Sequence, residues 1–201
     1  MTLANKLTSL RLVLAPLFFA VYLLPYFLPS WPPAVGAWTV PVLWALFIVS
    51  ELTDLLDGQA ARRRRETSDF GRLFDPFADT LTQLSYFLCF VVDRILPAPL
   101  YLLVLYREYS ILFVRNLMLK KGVTMGARMT GKVKTVTYIL AAGLALLTSS
   151  LMRLDRGAAL IAGVKLASQA VFLLSVVLSV VSFVDYLAVY RKAPPHPEDT
   201  A

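Results

Sequence analysis

Charge is absent from long stretches of this chain. Leu12 to Ser50 contains no Asp, Glu, Lys or Arg, and neither does Thr135 to Met152 or Leu166 to Val184. A helix of about 20 predominantly apolar residues crosses a bilayer, and each stretch is close to or beyond that length. The pattern predicts six spans, at roughly 9–28, 37–63, 71–93, 99–119, 132–152 and 162–190. The opening "MTLANKLTSLR" predicts a short amphipathic helix lying along the interface before the first span. Pro16, Pro25 and Pro29 are expected to bend or end span one, and "PSWPPAVG" makes the first turn. "ILPAP" separates spans three and four, and "RLDRG" separates five and six. The expected fold class is all-α integral membrane, with residues 1–192 as one membrane domain and 193–201 as a disordered polar tail.

Composition agrees with this pattern. Of 201 residues, 58% are hydrophobic and 16% charged, where soluble domains carry about a quarter charged residues. With the N-terminus placed in the cytoplasm, that side holds Lys6, Arg11, Arg62 to Arg65, Arg72, Lys120, Lys121, Arg128, Lys132, Lys134, Arg191 and Lys192. The other side holds only Arg94, Arg153, Arg156 and Lys165. Positive charge collects on the cytoplasmic side of membrane proteins, so both termini are expected there, in a multi-pass protein of the cell (inner) membrane. The net charge of +7 then needs no nucleic-acid partner, because anionic inner-leaflet lipid accounts for it. The single cysteine, Cys89, lies in an apolar run and reads as a small core residue. The single histidine, His196, falls in the tail "APPHPEDTA", which leaves carboxylates, basic groups or metal ions to do any chemistry.

The exception to the apolar pattern is "DLLDGQAARRRRETSDFGRLFDPFAD", residues 54–79, at the cytoplasmic ends of spans two and three. Asp54 and Asp57 are three apart and Asp75 and Asp79 four apart, so each pair shares one helix face. A short connection is expected to make the two helices antiparallel neighbours, so that four carboxylates converge just below the membrane surface. Four anions so close repel unless cations intervene, and all-oxygen ligands favour Mg²⁺, Mn²⁺ or Ca²⁺ over zinc. A metal pair bridged by carboxylates suits phosphoryl chemistry. Gly58 leaves space for a ligand beside the helix backbone. Arg62, nearest the carboxylates, is the arginine expected to meet a phosphate, whereas Arg63 to Arg65 read as solvated anchors.

These residues carry a resemblance. Asp54-x2-Asp57-Gly58-x2-Ala61-Arg62-x8-Gly71-x3-Asp75-x3-Asp79 resembles, without a departure, the signature of the CDP-alcohol phosphotransferase family. The resemblance implies a six-helix membrane protein, usually a homodimer, with two divalent metals (Mg²⁺ or Mn²⁺) at a cytosol-facing site. It implies transfer of a phosphoryl-containing group from a CDP-linked lipid or alcohol to an acceptor hydroxyl, with release of CMP. Asp54, Asp57, Asp75 and Asp79 would then be metal ligands and Asp79 the catalytic base. Gly58, Ala61, Arg62 and Gly71 would shape the CDP site.

The acceptor must be sought elsewhere. Span four places Arg107 and Glu108 inside an apolar stretch, with Arg115 about two turns further on, and Lys132 and Lys134 open span five. Basic groups beside a metal-balanced site suggest an anionic acceptor, a sugar phosphate or glycerol phosphate. Adjacent helical residues do not face each other, which argues against a simple Arg107–Glu108 ion pair. Arg107-Glu108, Arg115, Gly131-Lys132-Val133-Lys134-Thr135 and the opening Asn5-x-Leu7-Thr8-x2-Arg11 with Pro16 beyond look like the bacterial phosphatidylglycerophosphate synthases of that family. Tyr138 departs from that subfamily, which often has glutamine there. The resemblance implies CDP-diacylglycerol and sn-glycerol 3-phosphate as substrates, membrane lipids as surroundings, and Arg107, Arg115, Lys132 and Lys134 as the acceptor-phosphate site. Phosphatidylserine or phosphatidylinositol-phosphate synthesis is the alternative within the family. A cation transporter is the remote alternative, disfavoured because the acids crowd one membrane edge rather than the midplane.

Overall fold

Every element of the computed structural model is a helix, running α1 (Leu3–Phe27), α2 (Pro33–Arg64), α3 (Asp69–Val92), α4 (Ala98–Lys120), α5 (Met129–Arg153) and α6 (Ala158–Lys192). The structure describes residues 3–28, 33–64, 69–120 and 129–192, and the side chains of 8–28, 36–55, 74–119 and 133–191. His196 and the rest of the tail from 193 lie outside these residues, as does Pro29.

Four helices hold a segment long and apolar enough to cross a membrane: Thr8–Phe27, Gly36–Leu55, Val133–Arg153 and Ala158–Arg191. The chain is thus a multi-pass helical membrane protein. α3 and α4, of 24 and 23 residues, match a crossing in length but carry the charges of the expected site. The separate interfacial helix expected at the N-terminus is corrected: α1 runs unbroken from Leu3, through Pro16 and Pro25. Proline removes one intrahelical donor, a loss that membrane helices tolerate when neighbouring groups re-satisfy the backbone.

Packing follows the rules of a lipid solvent rather than of water. α6 buries Ser168, Phe172, Ser175, Val176, Ser179 and Ser182, one stripe at three- and four-residue spacing. It exposes Leu173, Leu174, Val177, Val180, Val181 and Val184, which lipid tails solvate. α5 lies along α6 and presents Ala141, Ala142 and Ala145, all fully buried. Small residues let helix backbones approach closely where no water drives association.

Aromatic edges fill the centre. Phe18 of α1 meets Tyr86 of α3 at 4.6 Å, and Tyr86 meets Phe47 of α2 at 5.4 Å. Phe87, beside Tyr86, contacts Tyr138 of α5 at 5.3 Å and Phe172 of α6 at 4.8 Å. Cys89 sits in this core, fully buried and unbonded to another cysteine, as expected of a small core residue.

α1 packs on both α2 and α3, whereas α2 and α3 share no extensive backbone packing among the described residues. The expectation that their short connection makes them direct antiparallel neighbours is corrected, because α1 lies between them and the acids meet across it. The end of the bundle remote from those aspartates is tied by its own polar knot. α3 closes in a left-handed turn at Arg94 (φ 55°), with Ile95 N donating to Phe90 O (2.9 Å) and Arg94 N to Val91 O (2.9 Å). Asp93, in that turn, accepts from Tyr22 Oη (2.5 Å) and from Tyr26 Oη. Arg153 at the end of α5 donates to Thr39 Oγ1 (2.7 Å), Tyr22 O (2.8 Å) and Ser149 Oγ (3.2 Å).

The inside-out packing has a measurable consequence. Ala142→Leu should overpack the α5–α6 seam and cost about 1–3 kcal/mol. Leu173→Ala, on the lipid face, should stay within about 0.5 kcal/mol. Thermal unfolding in detergent micelles compares them; equal losses would contradict the assignment of the two faces.

Candidate active site

Arg11 is the only charged residue in the crossing segment of α1, and its guanidinium is almost wholly buried. Nη1 forms ion pairs with Asp54 of α2 and Asp79 of α3. A guanidinium buried in a low-dielectric bundle requires a counter-charge, and here two helices supply it. On their far sides the carboxylates stay open, with side-chain exposures of 40% for Asp54 and 50% for Asp79. Three residues earlier on α1, Thr8 Oγ1 donates to Asp75 Oδ1 at 2.7 Å. The conformity of Thr8 and Arg11 to an N-terminal motif was visible in the sequence; their hold on three of the four aspartates was not.

Asp54 and Asp79 form one wall of a cavity of about 250 Å³. Arg107, Arg115 and Lys134 line the same cavity, from α4 and α5. The structure therefore brings together two of the expected metal ligands and three of the four expected anion-binding residues. Asp75 is held by Thr8 beside this group. The side chains of Asp57, Gly58, Ala61, Arg62, Gly71 and Lys132 lie outside the described residues. Among the described residues, no three acidic, histidine or cysteine side chains gather around one point.

The basic wall is organised by Glu108. Its Oε1 accepts from Arg107 Nη1 (2.8 Å), Lys134 Nζ (2.8 Å) and Tyr138 Oη (3.0 Å). The expectation that Arg107 and Glu108 would not pair is thereby corrected. Neighbouring helical positions diverge at the Cβ, but the arginine side chain is long enough to curl back, and both residues are buried where unpaired charge is costly. Arg107 Nε also donates to Ser179 O of α6 at 3.0 Å. Tyr138 Oη lies 2.9 Å from Ser179 Oγ, and Lys134 Nζ stands 4.5 Å from the Tyr138 ring centre. The tyrosine that departs from the subfamily pattern is thus a strut under the lysine. Arg115 Nη2 donates to Tyr186 Oη at 3.2 Å and stacks over that ring.

Sequence reasoning named the bases but missed Glu108 as their shared counter-ion, and missed Glu51, which also lines the cavity one turn before Asp54. A buried acid between two bases and a tyrosine hydroxyl leaves a signal in the sequence only as an acid within an apolar helix. Counting the charged lining, Glu51, Asp54, Asp79 and Glu108 balance Arg11, Arg107, Arg115 and Lys134. Glu51, Asp54 and Asp79 outnumber Arg11 at one side, and Arg107, Arg115 and Lys134 outnumber Glu108 at the other, which suits a ligand with a cation-associated end and an anionic end.

Known proteins place the arrangement. A family model described as CDP-alcohol phosphatidyltransferase matches residues 1–187. The chain is 35% identical to the CDP-diacylglycerol–glycerol-3-phosphate 3-phosphatidyltransferase of Treponema pallidum, over 94% of this chain and 89% of that one. It is 32% identical to the enzyme of the same name from Bacillus subtilis, over 72% of this chain and 76% of that one. It is 31% identical to a probable phosphatidylglycerophosphate synthase of Mycobacterium tuberculosis, over 92% of this chain and 80% of that one. With Asp54 of α2 and Asp79 of α3 lining one cavity and the match running from the first helix into the last, the chain belongs to the CDP-alcohol phosphatidyltransferase family.

Proposed function

We propose that the protein transfers the phosphatidyl group of CDP-diacylglycerol to sn-glycerol 3-phosphate, giving phosphatidylglycerophosphate and CMP. The observation that carries this reading is the shared cavity, in which Asp54 and Asp79 face Arg107, Arg115 and Lys134. The names of the relatives in Treponema pallidum and Bacillus subtilis support the same substrates. Further proposals follow the family resemblance: six crossings in one membrane domain over 1–192, a homodimer, and an inner-membrane setting with the termini and the site on the cytoplasmic side.

A divalent metal pair, Mg²⁺ or Mn²⁺, fits the acidic wall. Asp54 and Asp79 already converge on one cation, the Arg11 guanidinium, and offer only oxygen donors. Asp54, Asp57, Asp75 and Asp79 would hold the ions, which when bound neutralise the pyrophosphate and the departing CMP. Gly58, Ala61, Arg62 and Gly71 would frame the cytidine diphosphate.

The chain's own residues then have distinct tasks. Arg115, Lys134 and Arg107, with Lys132, take the acceptor phosphate by charge-assisted hydrogen bonds. Glu108 keeps Arg107 and Lys134 in place when no phosphate is present. Asp79 receives the proton of the acceptor's primary hydroxyl as its oxygen bonds to the phosphatidyl phosphorus. The bond from that phosphorus to the CMP oxygen breaks, and CMP leaves with the electron pair. Holding both reactants in one cavity makes the encounter effectively intramolecular.

Three outcomes are expected. Purified protein supplied with CDP-diacylglycerol should release CMP fastest with sn-glycerol 3-phosphate; faster release with serine or inositol phosphate would reassign the acceptor. Asp79→Asn should slow turnover by about 10²–10⁴-fold while CDP-diacylglycerol binding survives, and a loss smaller than about tenfold would move the base elsewhere. Arg115→Ala should raise KM for glycerol 3-phosphate by roughly ten- to a hundredfold, the value of one charged hydrogen bond, with little change for CDP-diacylglycerol. Arg115→Lys should recover only part of this, since an ammonium lacks the planar fork. Equal KM effects on both substrates would make Arg115 structural.

A further inference from the structure

Gln83 belongs to the same cavity but to neither of its charged walls. It lies four residues after Asp79 on α3, hence on the same helix face and about 6 Å further along the axis. Its Nε2 is buried and has no hydrogen-bond partner among the described residues. Gln169 shows the usual structural use of this side chain: its Nε2 donates to Ile95 O at 2.9 Å and ties α6 to the turn after α3. Buried amide donors are almost always paired, so an unpaired one at the edge of a cavity is waiting for a group that arrives from outside. The last torsion of a glutamine is soft, so either the oxygen or the nitrogen of the carboxamide can be presented to an incoming group. Arg115 Nε, Thr82 Oγ1 and Ser182 Oγ are further buried polar atoms without a partner among the residues lining this cavity.

We propose that Gln83 is a specificity-determining residue for the acceptor, its carboxamide taking the secondary hydroxyl of the glycerol phosphate. The inference rests on the glycerol-phosphate reading above. In that reading the primary hydroxyl meets Asp79 and the phosphate meets Arg115 and Lys134, so the middle carbon crosses the space between the acidic and basic walls. A hydroxyl both donates and accepts, and a carboxamide is a neutral side chain that offers both in return. A third charge there would upset the balance of the lining, whereas an amide reads the hydroxyl without doing so.

The test compares two acceptors with the full-length purified enzyme, measuring kcat/KM by CMP release. They are sn-glycerol 3-phosphate and 3-hydroxypropyl phosphate, which keeps the phosphate and the primary hydroxyl but lacks the secondary one. The unmodified enzyme should prefer glycerol 3-phosphate by roughly two- to tenfold, the range for one net hydrogen bond. Gln83→Leu should erase that preference by lowering the glycerol 3-phosphate value alone, with KM for CDP-diacylglycerol unchanged. Gln83→Met, closer in length, should behave the same way and guards against a packing defect in the leucine variant. Equal use of the two acceptors by the unmodified enzyme would overturn the proposal whatever the variants do, as would equal losses on both acceptors in both variants. CMP release with serine or inositol phosphate, and with neither of these two acceptors, would instead sink the glycerol-phosphate reading and this proposal with it.

Discussion

The ion pairs of Arg11 with Asp54 and Asp79 bring charges from three helices to one point inside the bundle. Lipid solvates no charge and little backbone, so helices carrying such groups must find each other or remain outside the membrane. α1 supplies the cation, α2 and α3 the anions, and the contact sets where α1 lies between the other two. The basic half obeys the same constraint with the signs reversed, since Glu108 collects Arg107, Lys134 and the Tyr138 hydroxyl at a single oxygen. The cavity lies between these two clusters and is lined by both.

Much of this was legible along the chain. Uncharged runs located the most apolar helices, and the four-residue spacing of Asp75 and Asp79 gave that pair one face, which Thr8 and Arg11 of α1 meet. The family signature then tied those residues to phosphoryl transfer. Contacts between distant positions were not legible. Arg11 reaches Asp79 across 68 residues, and Tyr138 reaches Glu108 across 30; no local period encodes either. Periodicity also misled at Arg107, where a rule about Cβ directions was applied to a side chain with four rotatable bonds' worth of reach.

Hydropathy was least informative where function is densest. α3 and α4 are long enough to cross but fall outside the four strongly apolar segments, because they carry the acids and bases of the site. α6 shows the opposite bias, with its polar serines buried and its leucines and valines outward. Chemistry of this kind lowers the apolar signal of the very helices that bear it, and the burial of small polar groups restores the packing that water would otherwise drive.

The polar knot around Asp93 and Arg153 fastens one end of the bundle. At that end, turns tie α3 to α4 and α5 to α6, and hydrogen bonds link α1, α2, α3 and α5. The cavity end carries cross-helix ties of its own through Arg11 and Glu108, so the helices are pinned in register at both ends and a shift of any one of them breaks charged or polar contacts.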